Sequence, residues 1–360
     1  MNVLVRVDAS QQIGTGHFMR CLTLADILFQ SGASCVFLSR GLPTHLQELL
    51  QVRGHELRHL AMHETCSGAG DLAHSSWLGC DQVDDAIDCS EVLQGQLHDW
   101  LIVDHYALDA RWELALKPHY RKLMVIDDLA DRRHACDLLL DQTFGRQRGD
   151  YRGKVSADCQ LLCGSQYALL RPEFSDLRPY SLLRRAEPRL RQLLITMGGV
   201  DKDNATCQVL ATLRVCSLPT ECKITVVMGQ TAPWLVAVEQ LAKDMPWPTQ
   251  VLVGVSDMAR LMADSDLAIG GAGATAWERC CLGLPMIMVQ QAENQRKVAQ
   301  GLEKAGAAQV IESVKNIGGH LPSLMRRLVE APVLLRGMSE AAADIVDGHG
   351  AKTVTRHLEL

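Results

Sequence analysis

Short apolar runs recur along this chain, and most of them end in polar residues or paired glycines. The first is NVLVRVD (2–8), and residues 17–31 after it carry their apolar side chains at helical spacing. SCVFLSR (34–40), WLIVDHY (100–106), KLMVIDD (122–128) and DLLLDQ (137–142) repeat the strand-like pattern. Apolar strands separated by helical stretches predict parallel sheet buried on both faces. In such sheets ligands sit beyond the carboxyl ends of the strands, so the polar tails mark where chemistry belongs.

The pattern breaks near 175–190, where SDLRPYSLLRRAEPRLRQ combines two prolines with several arginines and no clean period. This stretch reads as an interdomain connection. A second series follows: QLLITMGG (192–199), KITVVMGQ (223–230), TQVLVGV (249–255), DLAIGGAG (266–273) and PMIMVQQ (285–291). The expected architecture is therefore α/β, with two Rossmann-like, doubly wound parallel-sheet domains and a site in the cleft between them. The first domain spans 1–180 and the second 188–348. Residues 349–360 read as a helix that packs back on the first.

Composition narrows the function classes. The chain has 360 residues, 47% of them apolar, enough for two cores. Its net charge of -6 argues against a nucleic-acid partner, which selects a basic face. Residues 1–20 lack the pattern of a secretory leader, and no apolar run is long enough to span a bilayer. The expectation is a soluble cytoplasmic protein with no membrane partner, and nothing in the sequence demands more than a monomer. Thirteen cysteines invite a metal reading, but no C-x-x-C or H-E-x-x-H occurs, so they read as small buried hydrophobes.

Three glycine turns follow strands. In VDASQQIGTGHFMRC the dinucleotide fingerprint would need glycine where Met19 stands, and the P-loop pattern fails as well. What remains is a turn with room for a close approach, followed by a helix that carries His17 in its first turn. A helix start favours neutral imidazole, which can act as a general base. A histidine that merely packs or caps fits the same residues, and the sequence leaves both readings open. AIGGAGATAWERCC (268–281) offers free backbone N–H groups ahead of a helix starting near Thr275, suited to a diphosphate. Glu278 fits either a ribose acceptor or the far end of a Thr275-x-x-Glu278 capping box. TMGGVDKDN (196–204) could border the diphosphate from the other side. Its Asp201-x-Asp203 is too sparse a ligand set to imply a metal. VDHYALD places Asp104, His105 and Tyr106 at a strand end, and QAENQ places Asn294 and Gln295 before a helix.

Taken in order, VDASQQIGTGHFMRCLTLA, IVDHY, IDD, GSQYALLRPEF, MGGVDKDN and GGAGATAWERCCLGLP…AENQ resemble the UDP-2,4-diacetamido-2,4,6-trideoxy-β-L-altropyranose hydrolases of pseudaminic acid synthesis. The resemblance implies a GT-B-like fold, related to the inverting transferase that makes lipid II. It implies hydrolysis of a UDP-sugar to UDP and the free sugar, without cofactor. It carries the catalytic base onto His17. The sugar-contacting set falls on Asp8, Gly16, Tyr106, Asn294 and Gln295, with no firm role for Asp8. The UDP set falls on Gly199, Met228, Gly271, Gly273, Ala274, Thr275 and Glu278. Residues 60–90 are left without a function. Glycosidases need two carboxylates because an alkoxide leaves badly; UDP leaves easily, so a single base and an anion cradle suffice. The expected chemistry is inverting C–O cleavage without a metal. The competing readings are a glycosyltransferase of this fold using a UDP-N-acetylhexosamine, a hydrolysing UDP-sugar 2-epimerase, and a non-catalytic nucleotide-sugar sensor.

Overall fold

The computed structural model describes residues 1–63, 70–230 and 232–358. These form two units: Met1–Leu169 together with the segment from His349 onward, and Leu170–Gly348.

The first unit is built on strands β1 (Asn2–Val7), β2 (Ser34–Ser39), β3 (Glu56–His59), β4 (His98–Asp104), β5 (Tyr120–Ile126), β6 (Leu138–Asp141) and β7 (Gln160–Cys163). They pair in parallel in the order β3-β2-β1-β4-β5-β6-β7. Successive residues of β1 serve opposite faces: Val3, Val5 and Val7 join one core, and Leu4 joins the other. Arg6 shares the face of Leu4 and is fully buried, so its charge has to be answered inside the protein.

The second unit carries β8 (Gln192–Thr196), β9 (Lys223–Met228), β10 (Thr249–Val253), β11 (Leu267–Gly271), β12 (Met286–Val289) and β13 (Ala308–Ile311), in the order β10-β9-β8-β11-β12-β13. Within each sheet the strand order reverses at one point, between β1 and β4 and between β8 and β11. That switch point is where doubly wound folds open a crevice for ligands.

Three strands escape the hydrophobic pattern. β3 (ELRH), β7 (QLLC) and β13 (AQVI) are edge strands with half-exposed residues, so they show no continuous apolar run. Much of the stretch read as a connection, 175–190, instead belongs to a helix of the second unit (Pro172–Arg185). Its arginines answer the carbonyls that other helices leave open at their ends. Arg178 donates to the carbonyls of Cys281, Ala343 and Val346, and Arg185 to those of Met262, Ala263 and Ser265. The helix Gly350–Leu358 buries Ala351, Val354 and Leu358 in the core of the first unit, against the helix Gly16–Gln30. Among the described residues no helix is long and apolar enough to cross a membrane.

Candidate active site

At the switch point of the first sheet, the chain leaves β1 through a closed turn. Gly14 N donates to Ser10 O (2.8 Å), and Ser10 Oγ accepts from the amides of Gln12 and Ile13. Gly14 sits at φ +78°, a conformation that a side chain would strain, although a Cβ there would meet nothing within 4 Å. Glycine is therefore needed for the turn's shape, not for room. The helix Gly16–Gln30 starts directly afterwards, with Phe18 buried on its inner face and His17 pointing the other way.

His17 is held by the end of β4. Its Nδ1 lies 2.6 Å from Asp104 Oδ1, and its side chain is 12% exposed. Arg20, one turn further along the helix, grips the same carboxylate with Nε (2.6 Å) and Nη2 (2.7 Å). Its Nη1 reaches Asp128 Oδ2 (2.6 Å), which also accepts from the Tyr106 hydroxyl (3.0 Å). Burial alone would push the Asp104 carboxyl up, but Arg20 and then His17 outweigh it and hold the group far below the carboxylate range. Arg20 Nη2 also lies 3.3 Å from Nδ1; a carboxylate at 2.6 Å favours the tautomer with its proton on Nδ1, in which Nε2 is the basic nitrogen. Burial, reinforced by Asp128, pushes the Tyr106 phenol well above its ordinary value, so it is a neutral donor already committed to Asp128. Two rings meet His17, Tyr106 edge-on at 4.5 Å and Trp77 at 6.3 Å, and His74 packs on both of them.

Asp8 is not presented to a ligand. Its Oδ1 accepts from Arg6 (2.6 Å), Ser39 Oγ (3.1 Å) and Arg40 N (2.8 Å), and its Oδ2 faces His105 Nε2 at 3.3 Å. Arg6 and Arg40 in turn share Asp85. This network neutralises the charge buried on β1 and ties the strand ends together, and that accounts for Asp8. Gly16 is exposed as the first residue of the helix.

In the second unit the switch point is lined by backbone. The Gly199 carbonyl lies where a Cβ on Gly229 would stand only 2.1 Å away, and a Cβ on Gly270 would lie 2.5 Å from Thr196 O. These close approaches bring the ends of β8, β9 and β11 together. Gly271 ends β11; Gly273 has open space around it; Ala274 is exposed; and the helix Thr275–Cys281 follows. The first bonds of that turn run from Ala276 N to Gly273 O and from Trp277 N to Ala274 O. The amides of residues 273–275 are those a helix start leaves without an internal acceptor.

The capping-box reading of Thr275 and Glu278 fails. The N-cap is Ala274, and no side chain caps the helix. Thr275 Oγ1 instead accepts from Arg279 Nη2 (3.2 Å), whose Nη1 braces Gly271 O (3.0 Å). Burial pushes the half-buried Glu278 carboxyl up to about 7, against the opposing pull of Arg171 and Arg279. Its helix position puts it one turn beyond the open amides, and among the described residues no side chain donates a hydrogen bond to it. Met228 is buried in the second core, which leaves only its backbone for a ligand. Gln295 is spent on a local bond, accepting from Gln291 N (3.0 Å), whereas Asn294 is exposed in the turn Glu293–Gln295. Asp201 caps the helix Ala205–Leu213, accepting from the amides of Ala205 (2.8 Å) and Thr206 (2.9 Å).

Among the described residues one group, His63, Cys80 and Asp88, brings three metal-ligating atoms within 4.8 Å of one another. Asp88 Oδ2 already holds both His63 Nε2 (2.8 Å) and the Arg40 guanidinium (2.7 Å), so a cation is resident there.

The fold is of GT-B type: two Rossmann-like parallel sheets, one ending in the His17–Asp104–Arg20 cluster and the other in glycine turns. Residues 192–351 match the glycosyltransferase family 28 C-terminal domain. Over 311 residues the chain is 26% identical to the UDP-2,4-diacetamido-2,4,6-trideoxy-beta-L-altropyranose hydrolase of Campylobacter jejuni subsp. jejuni serotype O:2, covering 85% of this chain and 97% of that protein. The resemblance drawn from the motifs thus extends along most of both chains. Among solved structures, MurG of Acinetobacter baumannii superposes with a TM-score of 0.68 at 17% identity, covering 99% of each chain. A UDP-GlcNAc 2-epimerase from Neisseria meningitidis, bound to UDP-GlcNAc, superposes with 0.61 at 12% identity, again over 99% of each.

Sequence reasoning missed Arg20, Asp128, His74 and Trp77 as parts of the site, and met Asp104 only as a strand end. Arg20 was legible from its i+3 spacing to His17 on one helix face, and Asp128 from the polar tail of IDD. Trp77 lies in an irregular segment with no period to flag it.

Proposed function

We propose that this protein hydrolyses a UDP-linked 2,4-diacetamido-2,4,6-trideoxy sugar, releasing UDP and the free sugar by attack of water at the anomeric carbon. The observation that carries the reading is the His17–Asp104 contact at the switch point of the first sheet. It leaves Nε2 free to take a proton from water while Asp104 stabilises the imidazolium that results. Glu278 accepts hydrogen bonds from the ribose hydroxyls, and the open amides of residues 273–275 hold the diphosphate. Negative charge developing on departing UDP is met by these donors, so no acid of the glycosidase kind is required. Because one base delivers water opposite the leaving group, the anomeric configuration inverts. The similarity to the Campylobacter jejuni hydrolase supports the choice of sugar.

Hydrolysis in oxygen-18 water tests the mechanism. The label is expected in the sugar; label in UDP would mean attack at phosphorus and would overturn the proposal. A transferase is the second reading, favoured by the family 28 domain. Release of UDP from the purified protein with no acceptor other than water decides for hydrolysis, and dependence on an added hydroxyl acceptor decides for transfer.

A further inference from the structure

The segment before the helix Gln82–Leu93 has no part in the chemistry above, yet it delivers the Trp77 ring to His17, with His74 behind it. It is a built feature. His63 Nε2 is tied to Asp88 Oδ2 (2.8 Å) and Asp71 to Arg111 Nη2 (2.7 Å). After Asp71 a tight turn, Ser75–Trp77, closes with Trp77 N on His74 O (2.9 Å) and Leu78 N on Ser75 O (3.2 Å). Leu78 is 2% exposed and anchors in the core with Leu38 and Leu101. With Leu78 driven inward, the half-buried Trp77 comes to lie over Tyr106, stacked at 5.6 Å with the planes inclined by 27°. His74 closes the corner, edge-on to Trp77 at 4.5 Å and to Tyr106 at 5.3 Å. Burial holds the His74 imidazole below its ordinary value.

A wall of ring surface beside a base discriminates among sugars by their substituents. Aromatic faces attract C–H groups and methyls, whereas a hydroxyl turned against them gives up its hydrogen bonds to water. We propose that Trp77, backed by His74, is a specificity-determining residue that recognises, next to His17, the apolar substituents that N-acetylglucosamine lacks, the second acetamido group or the deoxy methyl group. The inference rests on the hydrolase reading for its reaction, but it concerns binding of the sugar and can be judged separately.

The test compares wild type, Trp77→Ala and Trp77→Phe. Three constants are measured: KM for UDP-2,4-diacetamido-2,4,6-trideoxy-altrose, and Ki for UDP-N-acetylglucosamine and for UDP as competitors. Trp77→Ala is expected to raise KM for the diacetamido sugar about tenfold. It should raise Ki for UDP-N-acetylglucosamine much less and leave Ki for UDP unchanged. Trp77→Phe should show a smaller loss in the same direction, and it is the variant to read if the alanine form does not fold. Equal losses on both sugars, a loss confined to kcat, or a parallel loss of UDP affinity would each overturn the inference. If wild type turns over no UDP-sugar, the hydrolase reading fails and calorimetric binding decides the inference. The diacetamido UDP-sugar must then bind more tightly than UDP, by an increment that Trp77→Ala removes; equal affinities sink it.

Discussion

The two sheets share a strand order and end in opposite kinds of chemistry. Beyond β1 and β4 the first sheet is locked by charge: Asp104 holds His17 and Arg20, and Asp8 and Asp85 hold Arg6 and Arg40. Beyond β8 and β11 the second sheet is lined by peptide groups, with the buried Arg279 set on carbonyls and the Glu278 carboxylate given no side-chain donor among the described residues. Burial acts on Asp104 and on Glu278 in the same sense, yet the first is driven down and the second left high. The difference is that Arg20 and His17 bond Asp104 directly, whereas Arg171 and Arg279 pull on Glu278 only from a distance. A carboxylate with its partner in place is positioning apparatus, and one without a partner is free to receive a ligand.

This contrast can be broken from either side. The largest effect is expected from His17→Asn, which should lower kcat for UDP release by roughly 10³-fold and leave UDP affinity unchanged. Near-normal turnover would remove His17 from the base role. Asp104→Asn keeps the shape but loses the anion. Its kcat should fall about 10–100-fold with little change in KM, and the protein should lose about 3 kcal/mol of stability because the buried Arg20 keeps only one of its two carboxylates, Asp128. A loss of KM alone would contradict the positioning role.

On the other sheet, Glu278→Ala should weaken UDP binding about tenfold in calorimetry, the scale of a hydrogen bond to a charged group. Unchanged affinity would leave Glu278 outside the site. The glycines sharpen the same point. Gly270→Ala, whose Cβ would meet Thr196 O at 2.5 Å, should cost about 1–3 kcal/mol in denaturant melts. Gly273→Ala meets nothing within 4 Å, so it should melt like wild type and yet bind UDP less well. The smallest effect is on pH. In the fold Glu278 titrates near 7 instead of the ordinary 4.5, so its contribution to stability is fully present only below about 4.5 and is lost as pH rises through 7. The Tm of wild type should fall relative to Glu278→Gln over that window; parallel curves would show that the carboxyl is not perturbed.

Much of this arrangement is legible in the sequence because backbone-driven features leave local marks. The buried strands read as apolar runs, the helix bearing His17 follows a glycine turn, and GGAGATAWE announces a turn of free amides. What was hidden depends on partners distant in the chain. Nothing local tells that Asp8 is consumed by Arg6, Ser39 and Arg40, because that depends on how neighbouring strands are registered. Thr275-x-x-Glu278 fits a capping box by spacing, but Thr275 already answers Arg279, a residue whose burial the sequence does not reveal. Trp77 reaches His17 through an irregular segment, where periodicity carries no information.

The helix Gly350–Leu358 packs against the helix that bears His17, so residues far apart in the chain complete one hydrophobic core. On a translating ribosome, the first unit must wait for the whole of Leu170–Gly348 to be made before its own last piece emerges. An apolar flank of the histidine's helix stays uncovered throughout that interval. The order of synthesis thus sets a holding period for the first unit, and it ends only when the helix Gly350–Leu358 has been made.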